Sequence, residues 1–152
     1  MEIRAFEQPI SKLNVKADLK YLRPVLEFVR FFAVCEGLPE KTARLFEVAV
    51  EEACVNVIKH AYGPDENGYF DVSVSRRSLQ LVISIEDRGL PADMEALEKN
   101  EKNSLGVMLM KSIADEVVFQ NLGEHGKRVK IIKNLPLEHE PGEGEGAPET
   151  AP

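Results

Sequence analysis

Glu52, Asn56 and His60 stand four residues apart in VAVEEACVNVIKHAY, the stretch from Val48 to Tyr62. On a helix each step of four rotates the row by only about 40°, so the three side chains share one stripe. Phe46, Val50, Ala53, Val57 and Ala61 make the apolar stripe of the same helix, and the polar row runs beside it rather than opposite. Leu45 and Ala49 lie along the row, which sets the polar groups at the border of buried surface. A carboxylate at such a border is partly desolvated, which suits Glu52 to taking up a proton. An amide oxygen one turn on is a hard, uncharged ligand of the kind that Mg²⁺ accepts, and Asn56 supplies one. A polar helix edge without chemistry fits the same spacing. His60 also fits a residue that caps or packs near the helix end.

Two later stretches carry groups of the same sort. In EDRGLPAD, Glu86 to Asp93, an aspartate closes an apolar strand and a glycine follows two residues on. Backbone at Gly89 can lie close to a ligand, while the Asp87 carboxylate can accept a hydrogen bond from an exocyclic amine. Asp-x-Gly also marks ordinary turns. In KNSLGVMLMKSIADEV, Lys102 to Val117, the small-residue turn Ser104-Leu105-Gly106 opens a helix. The free N–H groups of such a helix start can cradle phosphate, and Ser104 as a simple cap fits the same residues. Neither G-x-G-x-x-G nor G-x-x-x-x-G-K-[ST] occurs anywhere in the chain.

These groups need elements to hold them. Glu2 to Phe6 and Lys12 to Lys16 read as short strands. Leu19 to Cys35 carries Leu22, Val25, Leu26, Val29 and Phe32 at a helical period. Gly37 ends that helix and Pro39 opens the next, which runs from about Glu40 to Tyr62 and stops at GPDENG. Tyr69 to Ser75 and Leu79 to Glu86 read as strands, with Arg76-Arg77-Ser78 as a hairpin loop. Leu105 to Ala114 is a short helix, and Val117 to Leu122 with Lys127 to Ile132 forms a closing hairpin. Helices followed by strands, with one helix inserted, point to an α+β sandwich with one face of a sheet covered.

Composition bounds the function classes. The chain has 152 residues, enough for one domain with a core, and 30% of them are charged. No run approaches the roughly 20 apolar residues that span a bilayer, and MEIRAFEQ lacks the pattern of a signal peptide. The formal charge of −7 is uneven, because residues 136–152 hold five acids and no Lys or Arg, which leaves 19 basic against 21 acidic residues in the rest. A nearly neutral body offers no nucleic-acid surface, and the tail, rich in Pro, Gly and Glu, is expected to be disordered. The domain is accordingly 1–135 and the tail 136–152. Cys35 and Cys54 form no CxxC pair and are expected to be small core hydrophobes in a reducing cytoplasm, with neither zinc nor a disulfide.

The order of these features, E-x-x-x-N on a helix, D-x-G at a strand end, a Gly turn opening a helix and a final hairpin, resembles the GHKL (Bergerat-fold) ATP-binding domain. The nearer resemblance is to the anti-sigma-factor serine kinases of the partner-switching type, the RsbW and SpoIIAB family, over about Leu13 to Lys133. EEACVNVIKHAY is similar to the family's asparagine box, EDRGLPAD to its first glycine box and SLGVMLMKSIADEV to its second. The resemblance implies a Bergerat-type two-layer sandwich whose mixed, mostly antiparallel sheet is covered on one face by helices. It implies ATP and Mg²⁺ as cofactors, Glu52 as general base and Asn56 as the Mg²⁺ ligand. It further implies Asp87 on adenine with Gly89 shaping the pocket. Lys59, His60, Lys102, Ser104, Leu105 and Gly106 would join Asn56 around the nucleotide. The implied activity is serine/threonine phosphorylation of a STAS-type anti-anti-sigma protein, with a sigma factor sequestered in its absence. A non-catalytic partner-switching module of the same fold is the alternative. The family often dimerises, and the N-terminal strand with Leu22, Val25, Phe28 and Phe32 is one face that could serve. Pro91 replaces a second glycine of the first box, and Gly126-Lys127-Arg128 stands where a threonine often precedes the last strand.

Overall fold

The protein is described by a computed structural model over residues 6–63, 67–89 and 105–137. Strand β1 (Glu7–Lys16) leads through a 3₁₀ turn (Leu19–Tyr21) into helix α1 (Leu22–Cys35) and then α2 (Glu40–His60). Strands β2 (Tyr69–Arg77) and β3 (Gln80–Asp87), helix α3 (Leu105–Ile113), β4 (Glu116–Asn121) and β5 (Lys127–Asn134) follow, with a second 3₁₀ turn at Gly123–His125.

The five strands form one sheet in the order β1-β2-β3-β5-β4, and every neighbouring pair is antiparallel. Between β3 and β5 the chain passes along α3 to the far edge as β4. The β4–β5 hairpin then returns it, so β5 enters beside β3 in the opposite sense. The described strands therefore make a wholly antiparallel sheet where a mixed one was expected. Two strands were expected at the N-terminus, and a single ten-residue strand is found, with residues 1–5 outside the described set. The β2–β3 loop is the two residues Ser78-Leu79, with Ser78 left-handed at φ 56, so Arg76 and Arg77 belong to the strand rather than to the loop.

Alternation along the strands sorts the two faces. Leu13, Val15, Phe70, Val72, Val74, Leu81, Ile83, Ile85, Val129, Ile131, Val117 and Phe119 point to the helices and pack in one core with them. From α2 the core takes Phe46, Val50, Ala53, Val57 and Ala61, the stripe read from the sequence. From α1 it takes Val25, Leu26, Val29 and Ala33, with Leu22, Phe28 and Phe32 packed against it. Of the face named for dimerisation, Leu22, Val25, Phe28 and Phe32 are turned toward the core, whereas β1 is the outer strand of the sheet; Phe31 and Val34 are exposed on α1. Cys54 is buried, but Cys35, at the end of α1, is exposed rather than in the core.

The corner between α1 and α2 sets the direction of the helix that carries the site. Gly37 takes φ 113, its N–H bonds to Val34 and that of Leu38 to Ala33, a Schellman close that satisfies the last carbonyls of α1. Leu38 is then buried, and Pro39 enters α2 with extended backbone. Arg30 on α1 holds Glu47 at 3.0 Å and Glu40 at 3.1 Å on α2, which fixes the two helices against each other.

Candidate functional site

Helix α2 meets other parts of the chain at its C-terminal end and at its middle. At its C-terminal end the Ala61 carbonyl lies against Gly89, so closely that a side chain on Gly89 would overlap that oxygen. Tyr62, the next residue, donates its hydroxyl to Tyr69 O (2.7 Å) and accepts from Arg88 N–H (2.9 Å). Its ring lies against Gly68, which has no room for a Cβ. One phenol therefore clamps the start of β2 and the end of β3 to the end of α2. Burial raises the pKa of this phenol above its ordinary value, with the nearby Asp87 and Asp71 carboxylates acting in the same direction; the Arg88 N–H and guanidinium oppose them.

Asp87 closes β3 in the apolar phase of that strand, after Leu81, Ile83 and Ile85. Its residue is 2% exposed, on the helix-covered side of the sheet. Oδ1 accepts two hydrogen bonds, from Gly89 N–H at 2.9 Å and from the Lys127 ammonium at 2.9 Å. No donor among the described residues reaches Oδ2. A buried carboxylate oxygen normally has a partner, so an open one at the end of an apolar sheet face marks a place for a ligand's donor.

Toward its middle, α2 meets the start of α3. A side chain on Gly106 would strike the Glu52 carboxylate, so that carboxylate rests against the first turn of α3. The positive end of a helix favours an anion there. Val107 and Met110 are buried, and Leu105 and Met108 are exposed. Between the two contact points, Asn56 is exposed one turn along from Glu52, about 6 Å of helix rise. Glu52 and Ala61 are separated by about 14 Å of helix axis, so the two contact points lie well apart along α2.

The sequence-predicted residues divide accordingly. Asp87 and Gly89 come together at the C-terminal end of α2, and Glu52 and Gly106 at its middle. Asn56 faces solvent between them. Lys59 and His60 are exposed in the last turn of α2, near the Asp87 end rather than beside Glu52. The row is more open than its neighbours suggested: Leu45 is 55% exposed and Asn56 and His60 are exposed, whereas Ala49 is buried and Glu52 half-buried. Lys102 and Ser104 lie outside the described residues, as do Pro91 and all of 90–104. Among the described residues no group of three or more His, Cys, Asp or Glu is placed to hold a metal by itself. Asn56 alone fits Mg²⁺ only as one oxygen ligand beside phosphates and water, which is how that ion is usually held.

Two residues were missed by the sequence reading, Tyr62 and Lys127. Lys127 had a signal: it stands in the phase of Val129 and Ile131, so β5 begins with a lysine where its pattern asks for an apolar side chain. Register sets it directly opposite Asp87. Gly126 before it takes φ 100 and packs on the Asp87 carbonyl, where a Cβ would not fit. Tyr62 had no comparable signal, since its role depends on two strand ends that the sequence does not bring together.

Comparison with known proteins places this geometry in a family. Residues 15–133 match the histidine kinase-like ATPase domain. The serine-protein kinase RsbW of Halalkalibacterium halodurans is 30% identical over 128 residues, which cover 76% of this chain and 78% of that one. RsbW of Bacillus subtilis is 28% identical over 59% of this chain, and the match spans 62% of that relative's length. An anti-sigma F factor of Clostridium botulinum is 29% identical over 59% of this chain and 68% of its own. Among solved structures, the RsbU and RsbW domains of Rv1364c from Mycobacterium tuberculosis superpose with a TM-score of 0.61 at 18% identity, covering 84% of this chain and 33% of that one. The histidine kinase domain of the Erythrobacter litoralis EL346 blue-light activated kinase gives 0.57 at 21%, covering 76% and 60%; both likenesses concern the fold. On this evidence the chain belongs to the histidine kinase-like ATPase domain family, in the group that holds the RsbW kinases and anti-sigma F factors.

Proposed function

We propose that this protein is an anti-sigma regulatory factor that binds Mg·ATP and phosphorylates a serine or threonine on a STAS-type anti-anti-sigma partner, sequestering a sigma factor when that partner is unavailable. The observation that carries the reading is the pair of contact points along α2: a buried Asp87 carboxylate, half-satisfied among the described residues, at its C-terminal end and Glu52 against the start of α3 at its middle. Asp87 Oδ2 accepts the exocyclic amine of adenine, and Gly89 lets the base lie against backbone. The triphosphate runs along α2 toward the N–H groups of the first turn of α3, with Lys59, His60, Lys102, Ser104, Leu105 and Gly106 around it.

Asn56 offers its amide oxygen to Mg²⁺, which when bound neutralises charge on the β- and γ-phosphates. Glu52 orients the partner's hydroxyl and takes its proton. The hydroxyl oxygen bonds to the γ-phosphorus, the bond from that phosphorus to the β–γ bridging oxygen breaks, and ADP leaves. Because the Glu52 carboxylate rests where phosphate would approach α3, it must swing toward the acceptor when nucleotide enters. Phosphoryl transfer asks little more of a protein than position and charge neutralisation, so this small set of groups is chemically sufficient. The site of action is the cytoplasm, where ATP and sigma factors are; no helix among the described residues is long and apolar enough to cross a membrane.

The test is direct. Incubated with [γ-³²P]ATP, Mg²⁺ and a STAS-domain anti-anti-sigma protein of the same organism, the protein should label that partner on serine or threonine. ATP binding without label would leave a partner-switching module of the same fold, and absence of ATP binding would remove the reading altogether.

A further inference from the structure

Among the described residues, one oxygen of Asp87 is doubly engaged and the other is open, and the residue that creates this asymmetry is Lys127. The last row of the sheet on the helix side runs Phe70, Asp87, Lys127, Asn121, by register across β2, β3, β5 and β4. The next two rows are apolar, Val72, Ile85, Val129 and Phe119 and then Val74, Ile83, Ile131 and Val117. At this row the apolar face ends in an ion pair, with the Lys127 side chain 22% exposed and that of Asp87 2%.

A carboxylate held by a single hydrogen bond can rotate about its Cβ–Cγ bond, and either oxygen can then face a ligand. Here both protein donors converge on Oδ1. The Gly89 N–H approaches from the turn and the Lys127 ammonium from the neighbouring strand, 2.9 Å each. The turn alone would leave the carboxylate hinged on one bond. Lys127 supplies the second, charge-assisted bond, of the kind that is shorter and stronger than a neutral one. It also balances a charge that would otherwise be buried unpaired.

From this geometry we infer that Lys127 is a positioning residue for base recognition: it holds Asp87 so that Oδ2 alone is presented to the 6-amino group of the purine. The inference rests on the adenine-binding reading above and adds to it the residue that makes the acceptor single and fixed. Lys127 acts through Asp87 and its effect is confined to ligands that carry the 6-amine.

The experiment compares ATP with purine riboside triphosphate, which has hydrogen in place of that amine, by titration against the full chain and Lys127→Met. Wild type should bind ATP at least about tenfold more tightly than the analogue, since a site built around a donor rejects a ligand lacking it. Lys127→Met should lose about tenfold toward ATP, about 1.4 kcal/mol, and bind the analogue within about twofold of wild type. An equal loss toward both nucleotides, or no loss toward ATP, would overturn the role of Lys127 while leaving the nucleotide site standing. A wild type that binds both alike would overturn the base pocket itself and the inference with it. Should Lys127→Met fail to fold, Asp87→Asn and Asp87→Asn/Lys127→Met carry the test, because neither leaves a buried carboxylate unpaired. With Asp87 already altered, removing the lysine should change ATP affinity by less than about twofold, and a further loss beyond that would mean Lys127 acts elsewhere.

Discussion

Asp87 shows how one residue's setting can be worth more than its type. An aspartate at a strand end is commonplace; one that is 2% exposed, with one oxygen held by Gly89 and Lys127 and the other open among the described residues, is suited to receive a donor. Asp87→Asn removes the charge that Lys127 faces and lets an amide nitrogen turn toward the base. ATP affinity should fall at least about tenfold, and any preference for ATP over GTP should shrink, both read by nucleotide titration. Unchanged affinity and selectivity would take Asp87 out of the site. The sequence suggested the acceptor but not its partner. Lys127 could have been found from its phase on β5, whereas the clamp made by Tyr62 required knowing that Tyr69 and Arg88 end side by side.

At the scale of elements, two glycines make the same kind of close contact with different consequences. Gly89 meets the backbone carbonyl of Ala61, which α2 holds rigidly; Gly106 meets the tip of Glu52, which can move. Gly89→Ala should therefore destabilise the fold by about 1–3 kcal/mol, as overpacking does, and weaken ATP binding with it. Gly106→Ala should leave stability near wild type, since alanine favours a helix by up to about 1 kcal/mol, yet displace Glu52 and slow phosphoryl transfer. Thermal melts and single-turnover transfer on the two variants separate these outcomes; a Gly106→Ala protein that melts well below Gly89→Ala would refute the assignment. Elements were the most legible part of the chain. Helix α2, the Gly37–Pro39 corner and the β2–β3 and β4–β5 hairpins could all be read from period and turn residues. Pairing of β3 with β5 could not, because strand order depends on contacts distant in sequence. The extent of β1 was also hidden, since Gln8, Pro9 and Ile10 lack alternation and continue the strand across an irregularity between Pro9 and Ser11.

For the whole molecule, the core under α2 also sets a limit on alkaline stability. Burial, with a smaller contribution from Glu51, pushes the Cys54 thiol from an ordinary 9.0 to about 12. The unfolded chain thus gives up this proton at lower pH than the native protein does. That contribution to stability is intact below pH 9 and is lost as pH rises toward 12. Urea midpoints taken at about pH 8 and about pH 10 should differ less in Cys54→Ala than in wild type, and an equal fall in both would assign the loss to other groups. The central claim is that α2 serves base recognition at its C-terminal end and phosphoryl transfer at its middle, and Glu52 and Asn56 test it together. Asn56→Ala, which removes the oxygen offered to Mg²⁺, should lower both Mg·ATP affinity and transfer. Glu52→Gln keeps shape but cannot take a proton, so its effect belongs to the transition state. The decisive measurement is single-turnover transfer from [γ-³²P]ATP to the STAS partner by Glu52→Gln, alongside its ATP affinity. The account predicts affinity near wild type with transfer slowed roughly 10²–10⁴-fold, the usual contribution of a general base; transfer at the wild-type rate would contradict it.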